Sequence, residues 1–198
     1  MTEAAFLDLW HRFHEKVVAN QEVLNQLDAA IGDGDHGTNM GRGLGRVVAD
    51  VNPAGSLRSS CRAVGMKLLS TVGGASGALW GSALVSASGA LPDAPEVNRE
   101  MALAALNQGV GQMKARGKAD VGDKTMMDVW IPAVNALASG RSLREVAVQA
   151  RTWADSTQSL EARRGRAAYL GSRSIGHVDP GSLSTALWWE ALFEVVGS

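Results

Sequence analysis

Three aspartates lie within eight positions of one another in a glycine-rich stretch, at Asp28, Asp33 and Asp35. No basic residue lies between them, so their carboxylates would repel one another at close range unless a cation sat among them. Carboxylate oxygens on a flexible loop suit Mg²⁺ or Ca²⁺, and Mg²⁺ is usually held by one or two carboxylates together with the phosphates of a ligand. The residue types and their spacing therefore predict a divalent-cation site.

The four residues after the last aspartate extend this prediction to an anion. His36, Gly37, Thr38 and Asn39 stand where a helix is predicted to start. Backbone N–H groups and the helix dipole favour negative charge at such a position. His36 by itself is a weak signal, because a lone histidine is more often a hydrogen-bonded packing residue. We therefore expect a metal and phosphate site.

The aspartate stretch has two other interpretations, a calcium-binding loop and a simple turn. An EF-hand loop that began at Asp33 would need a glutamate at its twelfth position, where the sequence has Leu44. Asp33 and Gly34 alone are typical of a simple turn. A turn does not explain three aspartates with His36 and Asn39 within a dozen positions, but it stays open as the structural alternative.

Two further stretches are candidates for phosphate contact. The glycine-rich corner 73–77 allows a ligand to approach the backbone closely, and Ser76 could cap a helix or bind a phosphate oxygen. The irregular stretch 163–181 carries Arg166 and Arg173, and arginine suits bidentate contact with phosphate. An ordinary helix corner and a basic surface loop remain the respective alternatives.

A phosphate-binding loop of the Walker A type is excluded. Five residues separate Gly111 from Gly117 where that motif requires four, and Lys118 is followed by Ala119 rather than serine or threonine. No strand precedes the stretch. We expect a polar loop there that caps the next helix.

Length, charge and cysteine content set the outer limits. The length of 198 residues predicts one domain over 1–198. The net charge of −1 gives no electrostatic footprint for nucleic acid. The single cysteine, Cys61, excludes an internal disulfide, and no secretory signal is visible, so a cytoplasmic protein is expected. Residues 68–92 lack charge, but their glycine, serine and alanine content favours buried helices over a membrane span.

Apolar residues recur at helical spacing along most of the chain. The pattern predicts an all-α bundle with no strands. Eight helices are expected, at 6–27, 39–51, 56–72, 78–89, 96–115, 125–138, 143–161 and 182–196. Glycine-bearing corners at 32–37, 73–77, 117–122 and 165–181 could then meet at one end of the bundle. The residues alone lead to a helical protein that binds Mg²⁺ and a phosphorylated ligand.

Five sequence blocks carry a resemblance to a known family. They read IGDGDHGTNM at 31–40, GGASG at 73–77, GDKTM at 122–126, GRAAYLG at 165–171 and SIGHVDPG at 174–181. Together they resemble the nucleotide-binding domain of dihydroxyacetone kinases, and they follow that family's order over nearly the whole chain. Because the 198 residues hold no substrate-binding domain, the resemblance is greatest to the separate L subunit of the phosphotransferase-system-dependent enzymes.

The resemblance implies an eight-helix antiparallel barrel with ADP at one end and two Mg²⁺ ions at its diphosphate. The family's metal ligands fall on Asp28, Asp33 and Asp35. Its nucleotide contacts fall on His36, Gly37, Thr38, Asn39, Ala75, Ser76, Gly117, Met126, Arg166, Asp179, Pro180 and Gly181. All of these except Met126, which the apolar pattern would assign to the core, lie in or beside the corners found above.

The resemblance also implies a role in phosphoryl transfer. Bound ADP is expected to be phosphorylated by a phosphohistidine on an M subunit, and the transient ATP then phosphorylates dihydroxyacetone held covalently on a K subunit. The family's substrate-anchoring histidine belongs to the K subunit, so neither His36 nor His177 takes that role. The chain alone is expected to phosphorylate no sugar, and to bind neither nucleic acid nor a membrane.

Two alternative functions stay open at this point. One is a nucleotide-exchanging subunit of an ATP-dependent kinase for another short-chain ketose or sugar. The other is a nucleotide-state sensor that acts on a transcriptional regulator.

Overall fold

Nine α-helices follow one another in the structure, a computed structural model that describes residues 1–197. They are α1 Glu3–Ala19, α2 Gln21–Ile31, α3 His36–Asp50, α4 Leu57–Thr71, α5 Gly74–Ser88, α6 Arg99–Gly117, α7 Met127–Ala138, α8 Leu143–Ser156 and α9 Pro180–Val196. Two 3-10 segments, Thr157–Ser159 and Arg166–Ser174, interrupt the long connection between α8 and α9. The described residues contain no strand, so the predicted all-α class is confirmed.

The helices form a closed ring in chain order. From α3 onward each helix packs against the next, and the ring closes because α9 packs against α1. The single predicted helix at 6–27 is wrong in one respect, since the chain breaks at Asn20 into α1 and α2. The Asn20 amide donates to the Lys16 carbonyl at 2.8 Å, a local side-chain bond that competes with continuation of the helix. If α1 and α2 are counted as one element, the ring has eight members.

One hydrophobic cluster fills the ring from Phe6 in α1 to Leu192 in α9. Helix α9 is buried on nearly every side, as its almost uncharged sequence suggests. Trp80 lies in the middle of the cluster and makes aromatic contacts with Trp10, Phe13, Trp130 and Trp188, at centroid distances of 5.2–6.3 Å. This core fixes the helices that carry the loops at each end.

Helices that begin at one end of the ring are capped by side chains. Helices α1, α4, α6 and α8 have the N-caps Thr2, Ser56, Asn98 and Ser142, each of which accepts a backbone N–H from the first turn. Met1, Leu91, Leu137 and Val196 line one apolar cavity at this end. Helices α3, α5 and α7 begin at the opposite end without such a side-chain bond.

The uncharged run at 68–92 is divided between two helices. Its first residues end α4, Gly73 and Gly74 turn the chain, and α5 continues to Ser88. Among residues 1–197, no helix is both long and apolar enough to cross a bilayer.

Candidate metal and nucleotide site

The alternating direction of the helices brings the first turns of α3, α5, α7 and α9 to one cavity. Its volume is about 480 Å³, which is in the usual range for a small-molecule site. Helix N-termini carry partial positive charge, so four of them around one cavity favour an anionic ligand. Of these four helices, only α9 has an N-cap residue, Asp179, whose own side chain accepts a backbone N–H from the first turn.

The three predicted aspartates meet at the rim of this cavity. One carboxylate oxygen from each of Asp28, Asp33 and Asp35 lies within 4.8 Å of the others. Asp28 is half-buried on the last turn of α2, whereas Asp33 and Asp35 are exposed on the turn into α3. Three hard oxygen donors at this spacing fit a divalent cation such as Mg²⁺.

Asp28 also holds the turn in place. Its Oδ2 accepts the backbone N–H of Asp35 at 2.9 Å and that of His36 at 3.1 Å. Asn25 and Thr38 form a second link between α2 and α3. The Asn25 amide donates to Thr38 Oγ1 at 2.9 Å, and the Thr38 backbone N–H donates to Asn25 Oδ1 at 3.0 Å. The acidic turn is therefore fixed at both sides before any ligand binds.

Arg166 reaches the acidic cluster from the other side of the cavity. Its Nη1 lies 2.7 Å from Asp33 Oδ2. The preceding residues of this segment are attached to the loop before α7, because the Arg163 N–H donates to the Asp123 carbonyl at 3.1 Å and Arg164 Nε donates to the Lys118 carbonyl. The predicted irregular stretch is thus an ordered segment that covers one side of the cavity.

His36 lies between two helix starts. Its Nε2 is 3.0 Å from Ser184 Oγ in α9, and its Nδ1 is 3.5 Å from Ser76 Oγ in α5. Burial lowers the pKa of His36, and the nearby Asp28 and Asp35 carboxylates oppose that shift. The ring therefore packs as a hydrogen-bonded group that joins α3, α5 and α9.

The cavity lining includes most residues to which the resemblance assigned a role. All three aspartates line it, as do His36, Asn39, Ala75, Ser76, Gly117, Met126, Arg166, Asp179, Pro180 and Gly181. Met126 is buried, as the apolar pattern predicts, and it also lines the cavity. Its nucleotide contact stays a prediction. Gly37, Thr38 and Arg173 do not line the cavity.

Gly37 has a packing role in the structure. A Cβ atom there would lie 2.3 Å from the backbone carbonyl oxygen of Gln21, so only glycine allows this approach of α3 to α2. Thr38 is engaged with Asn25, as described above. The predicted nucleotide contacts of these two residues stay predictions, and the lining gives them no support.

Sequence reasoning missed two buried charged residues behind the cavity. Lys124 is 1% exposed, and its ammonium donates to the backbone carbonyls of Thr157 and His177. These two residues lie near the two ends of the connection between α8 and α9, which carries Arg166. Asp128 accepts the N–H groups of Gly122 and Thr125 at 2.6 and 2.7 Å. The spacing of Thr125 and Asp128 is that of a capping motif, which could have revealed Asp128. No sequence signal could have revealed the partners of Lys124.

Burial is the largest cause of the pKa shifts of Lys124, Asp128 and the neighbouring Asp179. Burial lowers the pKa of Lys124, and Asp179 and Asp128 oppose that shift. Burial also raises the pKa of Asp128, against the effect of the two N–H groups that it accepts. Burial raises the pKa of Asp179 to about 7, against the N–H of Ser182 and the charge of Lys124.

Asp179→Asn should change how stability depends on pH in the protein without metal or nucleotide. The folded protein keeps the Asp179 proton up to about pH 7, whereas the unfolded chain loses it near pH 4. Wild-type stability should therefore fall as pH rises from about 4 to 7, by up to about 4 kcal/mol from this group.

Asparagine keeps the helix cap but has no proton to lose. The variant's melting temperature minus that of the wild type should thus increase across this pH window, when both are followed by circular dichroism. A constant difference from pH 4 to 8 would contradict the raised pKa of Asp179.

Apolar side chains also line the cavity. Leu79, Met113, Ala119 and Met127 line it together with Gly117. Flat apolar groups such as a nucleotide base suit a lining of this kind, while the phosphates of the same molecule suit the acidic and N-terminal end once a cation is present. The cavity therefore fits a magnesium-bound nucleotide along its length.

Comparisons with known proteins agree with this geometry. Residues 30–194 match the model of the DAK2 domain family. The chain is 43% identical over 185 residues to a Listeria innocua protein named PEP-dependent dihydroxyacetone kinase 1, ADP-binding subunit DhaL, and the match covers 92% of this chain and 91% of that protein. It is 40% identical over 191 residues to the PTS-dependent dihydroxyacetone kinase, ADP-binding subunit DhaL, of Lactococcus lactis, with 93% of each chain covered.

A solved structure shares the fold. The crystal structure of the dihydroxyacetone kinase from C. freundii in complex with AMP-PNP and Mg²⁺ superposes with a TM-score of 0.75 at 28% sequence identity. The superposition covers 98% of this chain and 33% of that one, so the fold described above corresponds to about a third of the larger kinase.

Proposed function

Because this chain belongs to the DAK2 domain family, as the resemblance in its sequence indicated, we propose that it is the ADP-binding subunit of a dihydroxyacetone kinase. In this role it binds ADP with two Mg²⁺ ions, takes up a phosphoryl group from a phosphohistidine protein of the phosphotransferase system, and passes that group to dihydroxyacetone. The sugar is held covalently on a separate K subunit. We expect the subunit to work in the cytoplasm as one domain over 1–198.

The observation that carries the proposal is the position of the acidic cluster. Its three carboxylates open on the same cavity as the first turns of α3, α5, α7 and α9. Carboxylates repel a phosphate, and helix N-termini attract one, so the two features suit a single ligand only if a divalent cation lies between acid and phosphate. A nucleoside diphosphate with Mg²⁺ meets both requirements.

Each part of the chain then has a defined task. Mg²⁺ on Asp28, Asp33 and Asp35 would neutralise phosphate oxygens and hold them in line for transfer. The uncapped first turn of α5, with Ala75 and Ser76, offers backbone N–H groups to the same oxygens. Arg166 supplies a guanidinium at the rim, where it can contact phosphate in a bidentate manner.

The imidazole in the cavity lining is not free to activate a sugar hydroxyl. His36 is engaged on both ring nitrogens by Ser184 and Ser76. In the proposed reaction the group that binds the sugar belongs to the partner that carries it. We therefore expect the isolated chain to bind nucleotide but to phosphorylate no sugar.

The nucleotide content of the purified protein tests this proposal. After extensive desalting in Mg²⁺, acid release and ion-exchange chromatography should yield close to one ADP per chain, and prior treatment with EDTA should remove it. An empty protein that binds added ATP reversibly would instead support a nucleotide-exchanging subunit that serves another ketose or sugar. A protein that binds neither ADP nor ATP in the presence of Mg²⁺ would refute both.

A further inference from the structure

The ion pair between Arg166 and Asp33 has consequences for the order in which ligands bind. Its two atoms are 2.7 Å apart, and Asp33 is one of the three clustered carboxylates. The Arg166 side chain is 69% exposed, so solvent and neighbouring atoms leave it room to move. No other Lys or Arg in residues 1–197 forms an ion pair with a carboxylate of this cluster.

From this we infer that Arg166 competes with the metal for Asp33 and moves to the phosphates when nucleotide arrives. The inference rests on the proposed metal and nucleotide site. The guanidinium occupies one acceptor position on Asp33 Oδ2. Its positive charge also repels a cation that approaches the same carboxylate. A diphosphate ends the competition for Asp33, because its oxygens attract both the guanidinium and the metal.

Metal and nucleotide should therefore bind cooperatively. Metal alone must displace Arg166 from Asp33 with no new partner for the guanidinium, whereas metal with ADP offers it phosphate oxygens. By linkage, ADP must raise metal affinity by the same factor as metal raises ADP affinity. Through its pair with Asp33, Arg166 offsets part of the negative charge of the acidic cluster and also makes the cluster a poor site for a bare cation.

The test uses Mn²⁺ as the probe, on protein stripped of metal and nucleotide with EDTA. Free Mn²⁺ is followed by electron paramagnetic resonance, and ADP binding at saturating Mn²⁺ by calorimetry. Arg166→Gln should bind Mn²⁺ alone about three- to tenfold more tightly than the wild type, because its competitor is gone. The same variant should bind ADP at least about tenfold more weakly, since a charge-assisted contact to phosphate is lost.

Two further variants separate the causes. Arg166→Lys keeps the charge and loses the planar fork, so its affinity for Mn²⁺ alone should stay near that of the wild type while ADP affinity falls. Arg163→Gln removes the same charge from an exposed side chain that does not line the cavity. It should change either affinity by less than about twofold.

Tighter binding of Mn²⁺ alone together with weaker binding of ADP in Arg166→Gln would support the inference. A variant that binds Mn²⁺ alone as weakly as the wild type, or more weakly, while circular dichroism shows intact helices, would overturn it and leave the nucleotide site in place. Wild-type protein that binds neither Mn²⁺ nor ADP would overturn the proposed function itself.

Discussion

Asp35→Asn should lower the affinity for ADP in Mg²⁺ about 100-fold or more and leave the helices intact. Loss of groups that only orient metal ligands costs about 10- to 100-fold in affinity, so loss of a ligand should cost at least as much. Asp35 makes no side-chain cap to α3, and its side chain is exposed, so the fold does not depend on it. Asp33→Asn should likewise reduce binding.

Thermal unfolding with and without ligand measures this effect. At 100 times the dissociation constant, ADP should stabilise the wild type by about 2.7 kcal/mol, which corresponds to about 5–10 °C in a chain of this size. The Asp35→Asn variant should show no such shift under the same conditions. In EDTA it should melt at or slightly above the wild-type temperature, because one of three repelling charges is gone.

Asp28→Asn provides the informative contrast. The Asp28 carboxylate accepts two backbone N–H groups from the turn into α3, at 2.9 and 3.1 Å. This variant should lose ligand binding. In EDTA its free energy of unfolding should also be about 1–2 kcal/mol lower than that of the wild type, so it should melt at a lower temperature. If Asp35→Asn also loses its fold in EDTA, the acidic turn is structural and the proposed metal site is wrong.

Gly37→Ala should destabilise the protein by about 3 kcal/mol or more. The added methyl group would lie 2.3 Å from the Gln21 carbonyl oxygen, a backbone atom that can move only if α2 moves with it. Overpacking of this kind costs about 1–3 kcal/mol when side chains can adjust, and more when they cannot. The melting temperature should fall by about 6–12 °C.

Gly111→Ala is the matched control for this prediction. Gly111 lies inside α6, and a Cβ atom there would meet nothing within 4 Å. Alanine should raise stability there by about 0.5–1 kcal/mol, through its higher helix propensity. Two substitutions of the same chemistry should therefore shift the melting temperature in opposite directions. Equal shifts would show that α2 and α3 do not approach as closely as described.

Helical periodicity was sufficient to predict the class of fold and most helices, because apolar stripes reflect burial directly. It failed at helix starts. The predicted helices begin at residues 39 and 78, yet α3 begins at His36 and α5 at Gly74. Glycine, serine and threonine have low helix propensity, and packing against neighbouring helices overrides it here. The break at Asn20 depends on one side-chain bond, which periodicity cannot reveal.

The acidic part of the site could be predicted from residue type and spacing alone. The three aspartates are close in sequence, so a single local turn is enough to bring their carboxylates together. The need for a cation between them can therefore be inferred from the sequence. Lys124 is different, because its partners Thr157 and His177 lie 33 and 53 positions away. A contact of that range depends on the closure of the ring, and no local pattern encodes it.

The position of the two chain ends has a consequence for any protein in which this unit is joined to another domain. Met1 and Val196 line the same cavity at the end of the ring opposite the acidic cluster. Helix α9, with 17 residues, separates Val196 from the site, a distance of about 25 Å at 1.5 Å per residue. A tether from that end would need about eight extended residues to reach back along the helix. With a shorter tether, only a fused partner whose own surface spans the remaining distance could reach the nucleotide at a useful effective concentration.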